Sequence, residues 1–136
     1  MEPSKRFDKL EKEFFHEWVG RNPLLGTSLG LHEECDDKLP DGTFDKLQED
    51  VRFLKRYETE FSQIDGKRLS STRSVDLDLA LQTIRTWIFD REELRFWERS
   101  PEAPQVLGHS IFQLLSRNFA PLAQRLRSIM KRLEAL

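Results

Sequence analysis

The sequence predicts an all-α fold, a helical bundle of about five helices with one long central helix. Three observations predict it. Apolar residues recur at spacings of three and four along most of the chain, and no stretch alternates as a half-buried strand would. Glycine and proline, six of each in 136 residues, are too few for a β-sandwich with many tight turns. A chain of this length can bury a real core as a single domain spanning residues 1–136. Its 38% hydrophobic content is modest beside 34% charged residues, but ten Phe and three Trp bring large buried areas.

Apolar spacing and helix-stopping residues set out the elements in order. Phe7, Leu10, Phe14 and Trp18 share one face of a helix over 4–19, which Gly20 is expected to stop. Asn22-Pro23 restarts the chain as cap and first residue of a short helix to Leu29, closed by Gly30. From His32 to Gly42 the chain is acidic and carries the turn signature Pro40-Asp41-Gly42, so this segment is expected to be a loop. Thr43 then caps a long helix whose stripe is Phe44, Leu47, Val51, Leu54, Phe61 and Ile64, with Tyr57 beside it; Asp65-Gly66 ends it. The most apolar helix is expected over 72–97, after the caps Ser70, Ser71 and Thr72. At 1.5 Å per residue it would be roughly 40 Å long. Its apolar residues wrap more than one face, which predicts a central helix packed from several sides. A helix over 105–116 and a last one capped by Asn118 complete the set. That last helix shows Leu122, Leu126, Ile129, Leu133 and Leu136 and is still periodic at its final residue, which reads as a cut in a longer helix.

Charge excludes several function classes. The net charge of −2 gives no electrostatic footprint for nucleic acid. It is unevenly spread: residues 32–50 carry eight acids and two lysines, while residues 117–136 carry five basic residues and one acid. The plain reading is two solvated faces of opposite sign. A single cysteine, Cys35, cannot form an internal disulfide or a thiolate metal cluster. The charged N-terminus has no signal-peptide core, and the longest apolar runs fall far short of a membrane span, so no membrane partner and a cytoplasmic location are expected.

No complete catalytic, cofactor-binding or metal-binding set is legible. The zinc-peptidase signature needs two ligands one helical turn apart. His16-Glu17 has Gly20 where the second ligand must stand. His32-Glu33 is followed by Asp36 at that position, but within the expected loop. His109 reads as a packed or surface histidine, and Gly26 and Gly30 as residues that let helices approach closely. One polar cluster remains: Arg73, Asp76 and Asp78 at the start of the most apolar helix, with Arg85, Asp90 and Arg91 further along. Arg73 and Asp76, three apart, could pair. Charges on a buried helix must be paired or face a cleft, so this set is either a structural ion-pair network or a cleft lining.

Several segments, in order, resemble the N-terminal region of the family called domain of unknown function 885. They are Phe14-Phe15-His16-Glu17-Trp18, Pro23-Leu24-Leu25-Gly26-Thr27-Ser28-Leu29-Gly30-Leu31-His32, Leu39-Pro40-Asp41-Gly42 and Arg73-Ser74-Val75-Asp76-Leu77-Asp78. Trp97-Glu98-Arg99-Ser100-Pro101 and Leu114-Leu115-Ser116-Arg117-Asn118-Phe119-Ala120-Pro121 follow, then Arg125-Leu126 and Lys131-Arg132-Leu133. Full-length members look like zinc-dependent, gluzincin-type peptidases whose metal motif lies beyond this length. The resemblance therefore implies a non-catalytic N-terminal helical section forming one wall of a substrate channel, with zinc in the full-length protein and none held here. The implied partner is the remainder of its own polypeptide, with self-association through exposed apolar helix faces. The alternative is a stand-alone helical protein-interaction module.

Overall fold

A computed structural model describes residues 2–136. Its order is α1 (Pro3–Arg21), α2 (Pro23–Ser28), α3 (His32–Cys35), α4 (Phe44–Ser62), α5 (Ser71–Phe89), α6 (Ala103–Ser116) and α7 (Leu122–Glu134). The fold is all-α as expected, with seven α-helices among the described residues; the short α2 was among the expected elements, and α3 is the addition. Among the same residues, no helix is long and apolar enough to cross a membrane.

The helices group into two compact units. The first comprises the chain up to Glu17 and Gly42–Arg99, and the second Trp18–Asp41 and Ser100–Leu136. In the first unit, α1 and α5 supply Phe7, Leu10, Leu77 and Ile84 to a core completed by Phe53, Leu54, Tyr57, Phe61 and Ile64 of α4. Aromatic rings dominate. Phe14 stacks on Phe53 at 5.8 Å and on Trp87 at 6.4 Å, and meets Tyr57 edge-on at 5.0 Å. Such offset and edge contacts add to the area that the rings bury. The Thr43 cap is present, its hydroxyl accepting from Lys46 N, and Ser70 does the same for Arg73 N at the head of α5.

The second unit packs α2 and α3 with α6 and α7. Gly26 is buried against α3: a β-carbon there would overlap the Cys35 sulfur and come within 3.0 Å of Val19 Cγ1. Gly30 serves differently. It has φ +87° with open space around it. Gly30 N donates to Thr27 O and Leu31 N to Gly26 O, the paired bonds of a Schellman cap. Gly30 therefore closes α2 by conformation and not by close packing.

Four expectations about element limits are corrected. α1 runs through Gly20 to Arg21, because no positive φ is needed there; it stops where Asn22 returns its backbone and side-chain N–H groups to Trp18 O. Residues 32–35 form a helical turn within the expected loop. α5 ends at Phe89, giving 19 residues, or roughly 28 Å, in place of the longer helix. A π-turn over Asp90–Leu94 follows, then Arg95 in the left-handed region (φ 48°) and a 3-10 turn over Phe96–Glu98. Trp97 Nε1 donates to Arg91 O at 3.1 Å, which ties this turn down. Finally, Pro121 stands at the α7 cap position, and Asn118 instead accepts weakly from Arg125 Nη2 at 3.5 Å.

Candidate functional site

The helices of the second unit are joined by two arginines of α7 that turn inward. Arg132 is fully buried. Its Nη1 donates to Ser110 O at 3.0 Å, and its Nη2 to Thr27 Oγ1 at 2.7 Å and Cys35 O at 3.2 Å. One side chain thus links α2, α3, α6 and α7. Thr27 passes the contact on, its hydroxyl donating to the buried carboxylate of Asp36 at 2.9 Å. His32 Nδ1 donates to the same carboxylate at 3.0 Å, and its ring lies flat on Phe119 with centroids 3.5 Å apart. Desolvation lowers the Arg132 pKa, opposed by the nearby Asp36 carboxylate, and its Nε has no hydrogen-bond partner. Arg125 caps the end of α6, donating to Leu114 O, Leu115 O and Ala120 O. The expectation that the basic C-terminal segment is a solvated face is corrected here, since two of its five cations are core residues.

Burying these arginines leaves the leucines of α7 about half exposed. Arg125, Ile129 and Arg132 point in, while Leu122, Leu126, Met130 and Leu133 are 54%, 41%, 59% and 48% exposed. α5 has an open apolar side as well: Leu77 and Ile84 are buried, but Val75 and Leu79 are each 64% exposed and Phe89 is 51% exposed. Packing from several sides, expected of this helix, is not what these residues show.

The polar cluster at the head of α5 does not converge. Arg73 pairs with Asp8 of α1 and lies over the Phe7 ring, 5.8 Å from its centroid, in place of the expected partner Asp76. Asp76 and Asp78 are exposed. They lie two residues apart on a helix and so point to different sides. Arg85 donates to Glu58 of α4 at 2.8 Å, and Arg91 to Trp87 O at 3.1 Å. Burial lowers the Arg91 pKa, with Asp50 and Asp90 opposing.

Other chemistry-bearing side chains are placed as follows. His16 is exposed on α1, and its neighbour Glu17 accepts from Tyr57 Oη at 2.7 Å and Arg56 Nη2 at 2.9 Å. Burial, then the Glu17 hydrogen bond, pushes the Tyr57 pKa up. Burial likewise pushes up the Cys35 thiol. A groove of about 300 Å³ runs along α6, lined by Ser28, Gln105, His109 and Gln113. Ser28 Oγ donates to Gln113 Oε1 at 3.1 Å, and Gln113 Nε2 to His109 Nε2 at 3.0 Å. The amide stands between hydroxyl and imidazole, so His109 is not placed as a base for Ser28. A second groove, of about 270 Å³, lies in the first unit between Phe44, Val51, Arg91 and Trp97. Among the described residues, no group of three or more His, Cys, Asp or Glu side chains could hold a metal ion.

Inward arginines that tie short helices together, beside apolar helix faces left open, define the class: an all-α helical bundle. Its family follows from comparison. Residues 23–136 match the family described as "Bacterial protein of unknown function (DUF885)", and the chain belongs to that family. No curated protein and no solved structure matches the chain.

Proposed function

We propose that this chain is the non-catalytic helical section of a larger hydrolase of the metallopeptidase type, forming part of one wall of its substrate channel. The reading places the enzyme in the cytoplasm, and zinc and the hydrolytic residues in the remainder of the polypeptide. The observation that carries it is the setting of α7, whose leucines stay about half exposed while its arginines face the core. These side chains are already about half covered, so covering the rest would contribute roughly 0.7–1.5 kcal/mol each, half the value for full burial. Contiguous open apolar faces mark surfaces made to be covered. Family membership over residues 23–136 supports the same reading.

The test is to read the source open reading frame and express whatever it encodes. The longer protein should slow amide exchange over 122–134 relative to residues 1–136 alone, bind zinc stoichiometrically and cleave peptides. A frame that stops after Leu136, or a longer protein in which 122–134 exchanges as fast as before, would refute it.

A further inference from the structure

We infer that the outer face of α5 is a docking surface for a basic amphipathic helix from the remainder of the same polypeptide. This rests on the reading above that more chain exists. At 100° per residue, Val75, Leu79, Gln82, Thr86 and Phe89 stack along one side of α5. The three apolar members are each at least half exposed. Asp78 borders this stripe on one side and Asp76 on the other, both exposed.

The local cations do not balance these carboxylates. Arg73 is turned to Asp8 and Arg85 to Glu58, so both arginines of α5 are already paired within the first unit. Asp76 and Asp78 have no ion-pair partner among the described residues, which leaves the stripe apolar with an acidic border. An occupant must match both features. It needs apolar residues at spacings of three and four, and Lys or Arg on its flanks.

That chemistry separates the occupant from its competitors. α5 of a second copy would set Asp76 and Asp78 against their own kind. In α7 of a second copy, Arg125 and Arg132 are buried and Lys131 is paired with Asp37, which leaves Arg127 and Glu134 beside the leucines, charges that cancel. Nucleic acid is repelled by the acidic border.

Two synthetic helical peptides of about 18 residues, long enough to be marginally helical alone, serve as probes. They share one leucine stripe and differ only in carrying lysine or glutamate flanks. Binding to residues 1–136 is followed by fluorescence anisotropy, and the contact is mapped by hydrogen exchange. The lysine peptide should bind about tenfold tighter than the glutamate one at low salt, the gap closing as salt screens the exposed pairs. It should protect amides of 71–89. The double variant Asp76→Asn/Asp78→Asn should bring the two affinities to within about threefold of each other, since each exposed pair contributes little. Equal binding by both peptides, indifference to the double variant, or protection falling on 122–134 would each overturn the proposal.

The longer protein supplies the last arm. There, amides of 71–89 should already be slow and the lysine peptide should no longer bind. An α5 that stays open in a longer protein whose α7 is covered defeats this inference alone. An open reading frame ending at Leu136 defeats the earlier reading, and the proposed source of the helix with it.

Discussion

Arg132 lets the competing terms of a buried charge be weighed at one position. Replacing it with Met keeps roughly the same reach and removes every donor. Three hydrogen bonds disappear, to Ser110 O, Thr27 Oγ1 and Cys35 O. Bonds from a charged donor contribute about 1.5–3 kcal/mol each, so the gross loss is roughly 4–9 kcal/mol. Two gains offset it. Burying the guanidinium costs several kcal/mol, and its unpartnered Nε costs about 1–3 kcal/mol; both penalties vanish with the charge. Cys35 O also keeps its bond from Lys38 N. The balance is a net destabilisation of about 2 kcal/mol. Arg132→Lys retains the charge but loses the planar fork that reaches three acceptors at once. It should therefore cost more, about 3–5 kcal/mol, as expected of an uncompensated buried cation. Urea unfolding at neutral pH, followed by circular dichroism, gives both values. If Arg132→Lys proves as mild as Arg132→Met or milder, charge and not fork geometry is what the site requires, and the reasoning fails.

Three further predictions concern packing, helix propensity and protonation. Gly26→Ala forces a methyl group against the Cys35 sulfur and Val19 Cγ1. Overpacking of about 1–3 kcal/mol should outweigh the roughly 1 kcal/mol gained in helix propensity, and adding Cys35→Ala should restore most of the loss. By contrast, Gly20→Ala, which meets open space inside α1, should stabilise by about 0.5–1 kcal/mol in the same urea assay. Tyr57 has its pKa raised in the folded state, by burial first and then by Glu17. A raised folded pKa means that the contribution is complete below the unfolded value of about 10 and is lost as pH climbs beyond it. Unfolding free energies measured at pH 8 and at pH 11 should therefore converge between the native chain and Tyr57→Phe; a gap that stays constant would contradict the assignment.

The fold class was legible because helical periodicity is local. Phe7, Leu10 and Phe14 do face the core of the first unit, and Thr43 and Ser70 do cap α4 and α5. Helix ends were less legible wherever the stop signal was tertiary. Nothing in Leu94-Arg95-Phe96 marks a break, yet Arg95 adopts a left-handed conformation in a turn tied down by Trp97. Gly20 looked like a stop and is not one, because a glycine ends a helix only where positive φ is required. The site was the least legible part. Arg73 and Asp76 stand at pairing distance along the chain, but Asp8, remote in sequence, takes the arginine. The inward arginines did leave a trace: Arg125, Ile129 and Arg132 fall at i, i+4 and i+7, the spacing of one helix face. Choosing between that face and the leucine face requires knowing that carbonyls at the end of α6, and Thr27, stand ready to accept.

Helix α7 has two neighbouring strips of coherent chemistry, Arg125, Ile129 and Arg132 on one and Leu122, Leu126 and Leu133 on the other, and about a quarter turn about its axis would bury the second in place of the first. Turned by that much, it would cover the exposed halves of Leu122, Leu126 and Leu133, for roughly 0.7–1.5 kcal/mol each, and spare two guanidinium groups their desolvation. On residues 2–136 alone, hydrophobic burial favours the rotated helix. The arginine bonds oppose it: Arg125 saturates carbonyls at the open end of α6, and Arg132 spans four helices. These directional bonds hold the leucines outward at the expense of apolar burial. Such an arrangement is stable against rotation, but it leaves the free-energy gain of covering the leucines unrealised within the chain. A leucine strip kept outward by buried arginines is the arrangement that the proposed reading, a helical section covered by the rest of a larger protein, requires.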